Sequence, residues 1–320
     1  MSITRRQFFK YLAVLGSSMG SNLIAGASYS ALPSATKTTD RHMRVIPSSG
    51  EKVPAIGLGS WLTFAIDVDD EAELSSRVAI LREFLKLGGG LLDSSPMYGV
   101  AEEVIGIALK RLGLDRNDLQ KDLFSATKVW TKGNRQGFLQ MEDSRMLWGL
   151  PGFDLMQVHN LVDWETNLPT LYTMKEKGDI RYAGVTTSHG RRHDQLMHIM
   201  RTQSLDFVQF TYNMLDREAE QYLLPMAKDK GIAVIINRPF RRGGLFNKFE
   251  RYELPVWAKE IDCANWAQFF LKFIISHPAV TCTIPATSQL AHLRENMGAG
   301  YGSLPDQVMR MKMVQYVKNL

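Results

Sequence analysis

Short apolar runs and longer amphipathic segments alternate from residue 43 to the C-terminus of this 320-residue chain. Runs that end at polar or turn-forming residues predict buried strands, and apolar residues spaced by three and four predict helices. The pattern begins with two short strands around an SSGEK turn, and then gives eight strands that alternate with helices. It therefore predicts an α/β fold, a (β/α)8 TIM barrel with an N-terminal β-hairpin and an extra C-terminal helix.

The predicted elements form one barrel domain, residues 43–320, which is a common length for this architecture. The first barrel strand is predicted to end at 57–61, and the others to cover 90–93, 123–129, 153–159, 182–186, 207–211, 232–237 and 280–284. The predicted helices are 72–87, 101–112, 138–150, 168–177, a polar helix from about 191, 218–230, 263–276, 288–297 and the terminal helix 305–318.

The first 42 residues do not follow this pattern. Residues 4–10 read TRRQFFK, and the pair Arg5-Arg6 followed by aromatic residues and a lysine is a twin-arginine export signature. The apolar stretch 11–20 is too short and too broken for a stable membrane span, and Ala25-Gly26-Ala27 offers a small-x-small cleavage site. We predict a signal peptide at 1–27, a polar linker at 28–42, and delivery to the periplasm by the twin-arginine translocation machinery.

Charge and cysteine content narrow the range of partners. The net charge is +5, but Arg5, Arg6 and Lys10 contribute three of these charges, so the chain without its leader has about +2. A nearly neutral protein gives no indication of nucleic-acid binding. The two cysteines, Cys263 and Cys282, form no CxxC motif and no metal-ligand spacing occurs, so we predict buried free thiols and no metal site.

Candidate chemistry is concentrated in residues 91–106, where two leucines and Asp93 precede the run SSPMYGVAEEVIG. Asp93 ends the second predicted barrel strand, and Tyr98 follows in a turn marked by Pro96 and Gly99. Barrel enzymes build their active sites from such strand ends and the loops after them. A phenol with an unperturbed pKa of ~10 needs a neighbouring cation to become an effective acid, so a cation is expected beside Tyr98.

Lys128 and His159 end the next two predicted strands at the same rim. A buried lysine requires a partner, and Asp93 on the adjacent strand can supply it. The resulting ion pair would hydrogen-bond the Tyr98 hydroxyl and favour its phenolate character. His159 could orient a substrate carbonyl or share the tyrosine's proton. The alternative for Lys128 and His159 is a purely structural role.

The stretch 93–106 resembles the signature of the aldo-keto reductase family, in which an Asp, a Tyr and a Gly-x-x-Glu run follow the second barrel strand. The resemblance extends from about residue 43 to the C-terminus. Asp93, Tyr98, Lys128 and His159 match the family's four catalytic positions. The resemblance implies a hairpin that plugs the bottom of the barrel, and NAD(P)H-dependent reduction of an aldehyde or a ketone with Tyr98 as the general acid.

The resemblance also implies a nicotinamide site. The first strand ends in the family's Gly-x-Gly-x-Trp pattern, Gln209 matches the residue that holds the nicotinamide amide, and a Thr-Thr pair replaces the usual Ser-Asn. After strand seven, Asn237-Arg238-Pro239-Phe240 replaces the family's Tyr-Ser-Pro-Leu, so the sequence does not identify the residue that stacks on the nicotinamide. Arg238, Arg241 and Arg242 in this segment offer cations to a phosphate. The residues predicted to form this nicotinamide site are Gly59, Ser60, Trp61, Thr186, Thr187, Gln209, Arg238 and Pro239.

The segment IPATSQLAHLREN after strand eight resembles the family's last cofactor loop. Thr287 and Ser288 precede a predicted helix whose N-terminus can bind phosphate. By resemblance, Glu295 and Asn296 meet the adenine. The Lys and Arg that clamp a 2′-phosphate in many members correspond to Ala286 and His292. The resemblance to the family still implies NADPH as the cofactor, with NADH as the alternative.

Other functions remain open from the sequence. One is an exported nicotinamide-binding sensor or interaction module with little turnover, and another is an isomerase or hydrolase, for which no metal-ligand or paired-carboxylate pattern is present. The basic cluster His189, Arg191, Arg192 and His193 is interpreted as a solvated helix start. The loops 131–136 and 246–257 would set which small-molecule carbonyl compound is the substrate.

Overall fold

The computed structural model describes residues 40–114 and 123–320. The predicted signal peptide, with Arg5, Arg6 and the cleavage site near Ala27, lies outside the described residues, as do residues 28–39 of the predicted linker. None of the helices in the two described ranges combines the length and the apolarity that crossing a bilayer requires.

The strands form a hairpin and a parallel barrel. β1 (Met43–Val45) pairs antiparallel with β2 (Lys52–Pro54). In the described part of the chain, eight strands then pair in parallel in chain order. They are β3 (Leu58–Gly59), β4 (Leu91–Asp93), β5 (Phe124–Val129), β6 (Phe153–Val158), β7 (Ile180–Thr186), β8 (Phe207–Thr211), β9 (Ala233–Asn237) and β10 (Cys282–Thr283).

The barrel closes where the first strand meets the last. Gly57 N donates to Thr283 O at 2.9 Å, and Gly59 N donates to Pro285 O at 3.1 Å. A Cβ on Gly59 would lie 2.9 Å from Ile284 O, and one on Gly57 would lie 2.7 Å from Leu91 O. The glycines of the GLGS segment are therefore required for the close approach of neighbouring strands.

Helices follow the barrel strands, as the sequence predicted. They are α1 (Glu71–Lys86), α2 (Ala101–Arg111), α3 (Asn134–Trp148), α4 (Trp164–Lys177), α5 (His193–Thr202), α6 (Leu223–Asp229), α7 (Gly244–Phe249), α8 (Trp266–Ile275), α9 (Leu290–Gly298) and α10 (Gln307–Lys318). The predicted helix 218–230 is divided, because Glu218–Glu220 forms a separate 3-10 turn before α6. The short α7 was not predicted, since its six residues follow a glycine and carry little periodic signal.

The barrel interior has an apolar lower part and a polar upper part. Leu91, Phe124, Leu155, Phe207 and Ile235 point inward and form one buried cluster with Ile46 and Val53 of the hairpin segment, which covers the bottom. Further along the strands the same face carries polar side chains, because side chains alternate with a period of two. The polar layer consists of Asp93, Lys128, Gln157 and Gln209, each at most 2% exposed.

Candidate active site

Asp93 and Lys128 form a buried ion pair in the polar layer. Lys128 Nζ lies 2.5 Å from Asp93 Oδ1 and 2.7 Å from Ser94 O, and it also lies 5.2 Å from the centre of the Tyr98 ring. An ammonium group has three N–H donors, so one remains for the neighbouring phenol. The predicted pairing of Lys128 with Asp93 is therefore present, and it places the ammonium beside the phenol.

Tyr98 ends a 3-10 turn, Pro96–Tyr98, that begins at Ser95, whose hydroxyl accepts from Met97 N at 3.2 Å. Burial raises the pKa of Tyr98, Lys128 lowers it, Asp93 raises it, and the net shift is upward from 10.0. Lys128 thus favours the phenolate, as expected, but desolvation of the phenolate outweighs the attraction of the cation. At neutral pH Tyr98 is a protonated donor, which is the state that a general acid requires.

His159 lies beside the phenol as a neutral imidazole. Burial lowers its pKa to about 2, and the charge of Lys128 acts in the same direction. Its Nδ1 shares a hydrogen bond with Ser95 Oγ at 2.7 Å, and its ring meets the Tyr98 ring edge-on with the centroids 5.7 Å apart. A neutral imidazole can hydrogen-bond a carbonyl oxygen without adding charge to the site.

A cavity of about 360 Å³ opens above these residues at the carboxyl ends of the strands. Asp93, Tyr98 and His159 line it, while Lys128 lies beneath it with no exposed surface. The structure therefore brings the four predicted catalytic residues together. The predicted cofactor residues that line the same cavity are Gly59, Ser60, Trp61, Thr186, Thr187, Gln209, Arg238 and Pro239.

The other predicted cofactor residues are next to the cavity and not in its lining. Ala286 lines the cavity, and Thr287 and Ser288 follow it in the chain. Thr287 is buried, and its hydroxyl accepts from Gln289 N at 3.1 Å just before α9. In α9, Asn296 is 3% exposed and Glu295 is partly exposed.

Amide and hydroxyl groups connect the wall of the cavity to Asp93. Gln209 Nε2 donates to Asp93 Oδ2 at 3.0 Å, and Asn237 Nδ2 donates to Gln209 Oε1 at 3.3 Å and to Thr187 O at 2.8 Å. Thr186 Oγ1 accepts from Asn160 N at 3.1 Å. Asn237 therefore holds two residues of this wall in place.

A basic cluster stands at the mouth of the cavity. Arg238 and Arg242 both hydrogen-bond His189 Nε2, and the Arg242 guanidinium lies 4.1 Å from the centre of the Trp61 ring. Burial lowers the pKa of His189, as do the neighbouring arginines, so its Nε2 can act as an acceptor. Arg241 instead pairs with Asp216 at 3.0 Å.

The interpretation of His189 as part of a solvated helix start needs correction, because His189 lines the cavity and α5 begins only at His193. Arg238, Arg241 and Arg242 have φ values of 53°, 51° and 59°, which non-glycine residues adopt only at a cost. Neither Arg238 nor Arg242 has a carboxylate partner among residues 40–114 and 123–320. The positive charges of Arg238 and Arg242 are thus not neutralised by a carboxylate of the described residues, and the two guanidinium groups can attract an anion to the mouth.

The sequence did not show that Arg242 lines the cavity and contacts Trp61. It also did not identify His189 or Gln157 as parts of the site. Gln157 could have been found from its position, since it precedes His159 by two residues on the inward face of β6. His189 and Arg242 come from loops after different strands, and no local pattern brings them together.

Comparison with known proteins identifies similar chains. The model of the family described as "Aldo/keto reductase family" matches residues 55–312. Methylglyoxal reductase YeaE of Escherichia coli is 26% identical over 261 residues, which cover 79% of this chain and 88% of the relative. The NADH-specific methylglyoxal reductase of Escherichia coli is 26% identical over 237 residues, which cover 64% of this chain and 69% of the relative.

Solved structures with the same fold include an aldo/keto reductase from Klebsiella pneumoniae in complex with NADP and acetate. Its TM-score is 0.72 at 22% identity, and the match covers 85% of this chain and 94% of that chain. The holo form of the aldo-keto reductase AKR11C1 from Bacillus halodurans gives a TM-score of 0.70 at 20% identity, with 87% and 96% covered. These likenesses establish the barrel fold.

Proposed function

The chain belongs to the aldo/keto reductase family and is an NAD(P)H-dependent oxidoreductase, and we propose that Tyr98 is the general acid of its carbonyl reduction. The observation that carries this proposal is the position of the Tyr98 phenol, which lies beside the buried Lys128 ammonium and beside a neutral imidazole at one cavity. The substrate is an aldehyde or a ketone small enough to enter that cavity.

The residues of the site fit a nicotinamide cofactor. Thr186, Thr187 and Gln209 present hydroxyl and amide groups at one wall, and Arg238 and Arg242 present cations at the mouth. Hydroxyl and amide groups suit a carboxamide, and guanidinium groups suit phosphates. When bound, the cofactor supplies a hydride to the carbonyl carbon.

The protein supplies the proton and holds the substrate. His159 hydrogen-bonds the carbonyl oxygen, and Tyr98 donates its proton to that oxygen as the carbon accepts the hydride, which yields an alcohol. The phenolate that remains on Tyr98 is stabilised by Lys128, whose charge is held in place by Asp93. A proton from solvent then restores the phenol, and the reverse sequence oxidises an alcohol.

We propose further that the adenine half of the cofactor extends past Ala286 to Thr287, Ser288, Glu295 and Asn296. The support is their order along the chain, which leads from the cavity lining into α9. A helix N-terminus near Ser288 favours a phosphate group. The nicotinamide half occupies the cavity, which Gly59, Ser60 and Trp61 also line.

Discrimination between NADPH and NADH is expected to be weak, less than about tenfold in dissociation constant. Ala286 and His292 replace the two cations that would clamp a 2′-phosphate, and Arg294 on α9 is paired with Glu83 at 2.7 Å. Dissociation constants for both cofactors measure this. Ala286→Lys should raise the preference for NADPH, and a strong preference that survives substitution of Arg238, Arg241 and Arg242 would contradict the assignment.

A nicotinamide-binding sensor with little turnover is the second candidate. Asn237, Ala286 and His292 replace residues that bind the cofactor in many family members, which supports a sensor. The presence of all four proposed catalytic residues supports an enzyme. Mixing the protein with bound NADPH and a panel of aldehydes and ketones distinguishes the two. We expect loss of the reduced-nicotinamide absorbance in a single turnover, and a signal that stays constant with every carbonyl compound would favour the sensor.

We also propose that the protein is exported by the twin-arginine route after it has folded around its cofactor. The support is the pair Arg5-Arg6 with its aromatic flanks. Cell fractionation with an activity assay should find the wild type in the periplasm, shortened near Ala27, and the form with lysine at both arginine positions in the cytoplasm as active enzyme. Periplasmic delivery of the double-lysine form would refute this interpretation of the leader.

A further inference from the structure

Gln157 lies in the polar layer beneath the cavity. It stands on β6 opposite Lys128 of β5 in the strand register, and it is 0% exposed. Its Nε2 donates to Asp93 Oδ2 at 3.3 Å, and its Oε1 accepts from Gln209 Nε2 at 3.5 Å. Gln157 does not line the cavity, so it can influence the reaction only through its neighbours.

The two oxygens of Asp93 have separate partners. Oδ1 accepts from the Lys128 ammonium at 2.5 Å, and Oδ2 accepts from the amide groups of Gln157 and Gln209. The amide donors to Oδ2 restrict rotation of the Asp93 carboxylate. They thereby also fix the orientation of the Lys128 ammonium, which is bound to Oδ1. They also neutralise part of the negative charge that acts on Tyr98.

A carboxamide is a costly choice for this position. An apolar side chain of the same volume would fill the barrel without desolvating polar groups, as the inward residues of the lower layer do. The carboxamide is tolerated because both of its ends are hydrogen-bonded. Its effect is thus directed to Asp93 and to Gln209.

We propose that Gln157 is a positioning residue, which holds Asp93 so that Lys128 presents its third N–H to Tyr98. The proposal rests in part on the proposed reduction, but its effect on the titration of Tyr98 can be measured without turnover. Without the Gln157 donor, Oδ2 keeps only the amide of Gln209, so the carboxylate is held less firmly and its charge acts more strongly on the phenol.

The titratable groups that face this layer come from several elements. Burial raises the pKa of Glu102 and of Cys282 and lowers that of His159, so the last two stay uncharged at neutral pH. The Glu102 carboxylate accepts hydrogen bonds from the hydroxyls of Thr127 and Ser144. The groups are Lys128 on β5, Tyr98 on the 3-10 turn, His159 after β6, Glu102 on α2 and Cys282 on β10.

Two substitutions separate hydrogen bonding from packing. Gln157→Met keeps the volume and removes the donor, and we expect kcat to fall by about tenfold, the scale of one hydrogen bond to a charged group, while cofactor affinity changes by less than about twofold. Gln157→Glu keeps the shape. A protonated glutamic acid can still donate to Asp93 Oδ2, whereas the ionised form repels it, so kcat should approach the wild-type value at about pH 5 and fall towards about pH 9.

The matched control is Gln315→Met on the exposed face of α10, which should leave kcat and its pH dependence unchanged. Unfolding midpoints of all variants show whether packing has changed. Wild-type kcat and pH dependence in both Gln157 variants would overturn the proposal. If Gln157→Met does not fold, Gln157→Glu decides the question through its pH profile.

A readout without turnover keeps this test separate from that of the proposed function. The tyrosinate absorbance of Tyr98 is obtained as the difference between each protein and its Tyr98→Phe version. In Gln157→Met the titration of Tyr98 should move to higher pH, since the less neutralised Asp93 disfavours the phenolate. An unchanged titration would overturn the positioning role, whether or not the wild type reduces any carbonyl compound.

Discussion

Tyr98→Phe is expected to lower the rate of carbonyl reduction by ~10²-fold or more, the scale of general acid catalysis, and to retain cofactor binding. The variant loses only the hydroxyl, and with it the proton that the product oxygen requires. The ring would still lie edge-on to His159 and beside Trp61, so the shape of the cavity is kept. Single-turnover oxidation of bound cofactor by a good aldehyde substrate measures the chemical step directly.

Tyr222→Phe is the matched control, because Tyr222 is 61% exposed and does not line the cavity. It should reduce the same aldehyde at the wild-type rate. The pH dependence gives a second check, since burial raises the pKa of Tyr98 above 10.0 and activity in the reducing direction should persist up to that range. A Tyr98→Phe variant that works at nearly the wild-type rate would show that another group is the acid.

Lys128→Met is expected to destabilise the protein by about 3–5 kcal/mol and to abolish most of its activity. The substitution leaves Asp93 as a buried carboxylate with amide donors but no cation, and it removes the charge that would stabilise the Tyr98 phenolate. The free energy of unfolding from denaturant titration measures the stability change. The double variant Asp93→Asn/Lys128→Met should recover a large part of it, because no unpaired charge then remains inside the barrel.

Lys86→Met is the control for this measurement. Lys86 lies in the last turn of α1 and outside the buried core, and surface substitutions of this kind change stability by less than about 0.5 kcal/mol. If Lys128→Met proves as stable as the control variant, the ion pair contributes nothing to the fold and Asp93 must be compensated in another way. If the double variant recovers stability but remains inactive, the charge of Lys128 itself is needed for the reaction.

The sequence alone determined the order of the barrel elements and the four residues that we propose to be catalytic. Strand and helix periodicity are local properties, so β4 to β9 were found to within two residues at each end. Asp93, Lys128 and His159 were identifiable because the carboxyl ends of parallel strands meet at one edge. Tyr98 was identifiable because Pro96 and Gly99 mark the turn that carries it. The export signal remains a prediction from the paired arginines of the leader.

The tertiary structure decided which side chains meet and how burial changes their chemistry. The pKa of Tyr98 is raised because its desolvation exceeds the effect of Lys128, and the depth of burial is set by the whole barrel. The contact of Arg242 with Trp61 joins loops after β9 and β3, which are distant in the chain and adjacent only because the barrel closes. Gln157 reaches Asp93 across β5, and that distance depends on the stagger of three strands. Periodicity fixes the face on which each side chain lies, whereas partners and solvation arise only when the strands are assembled.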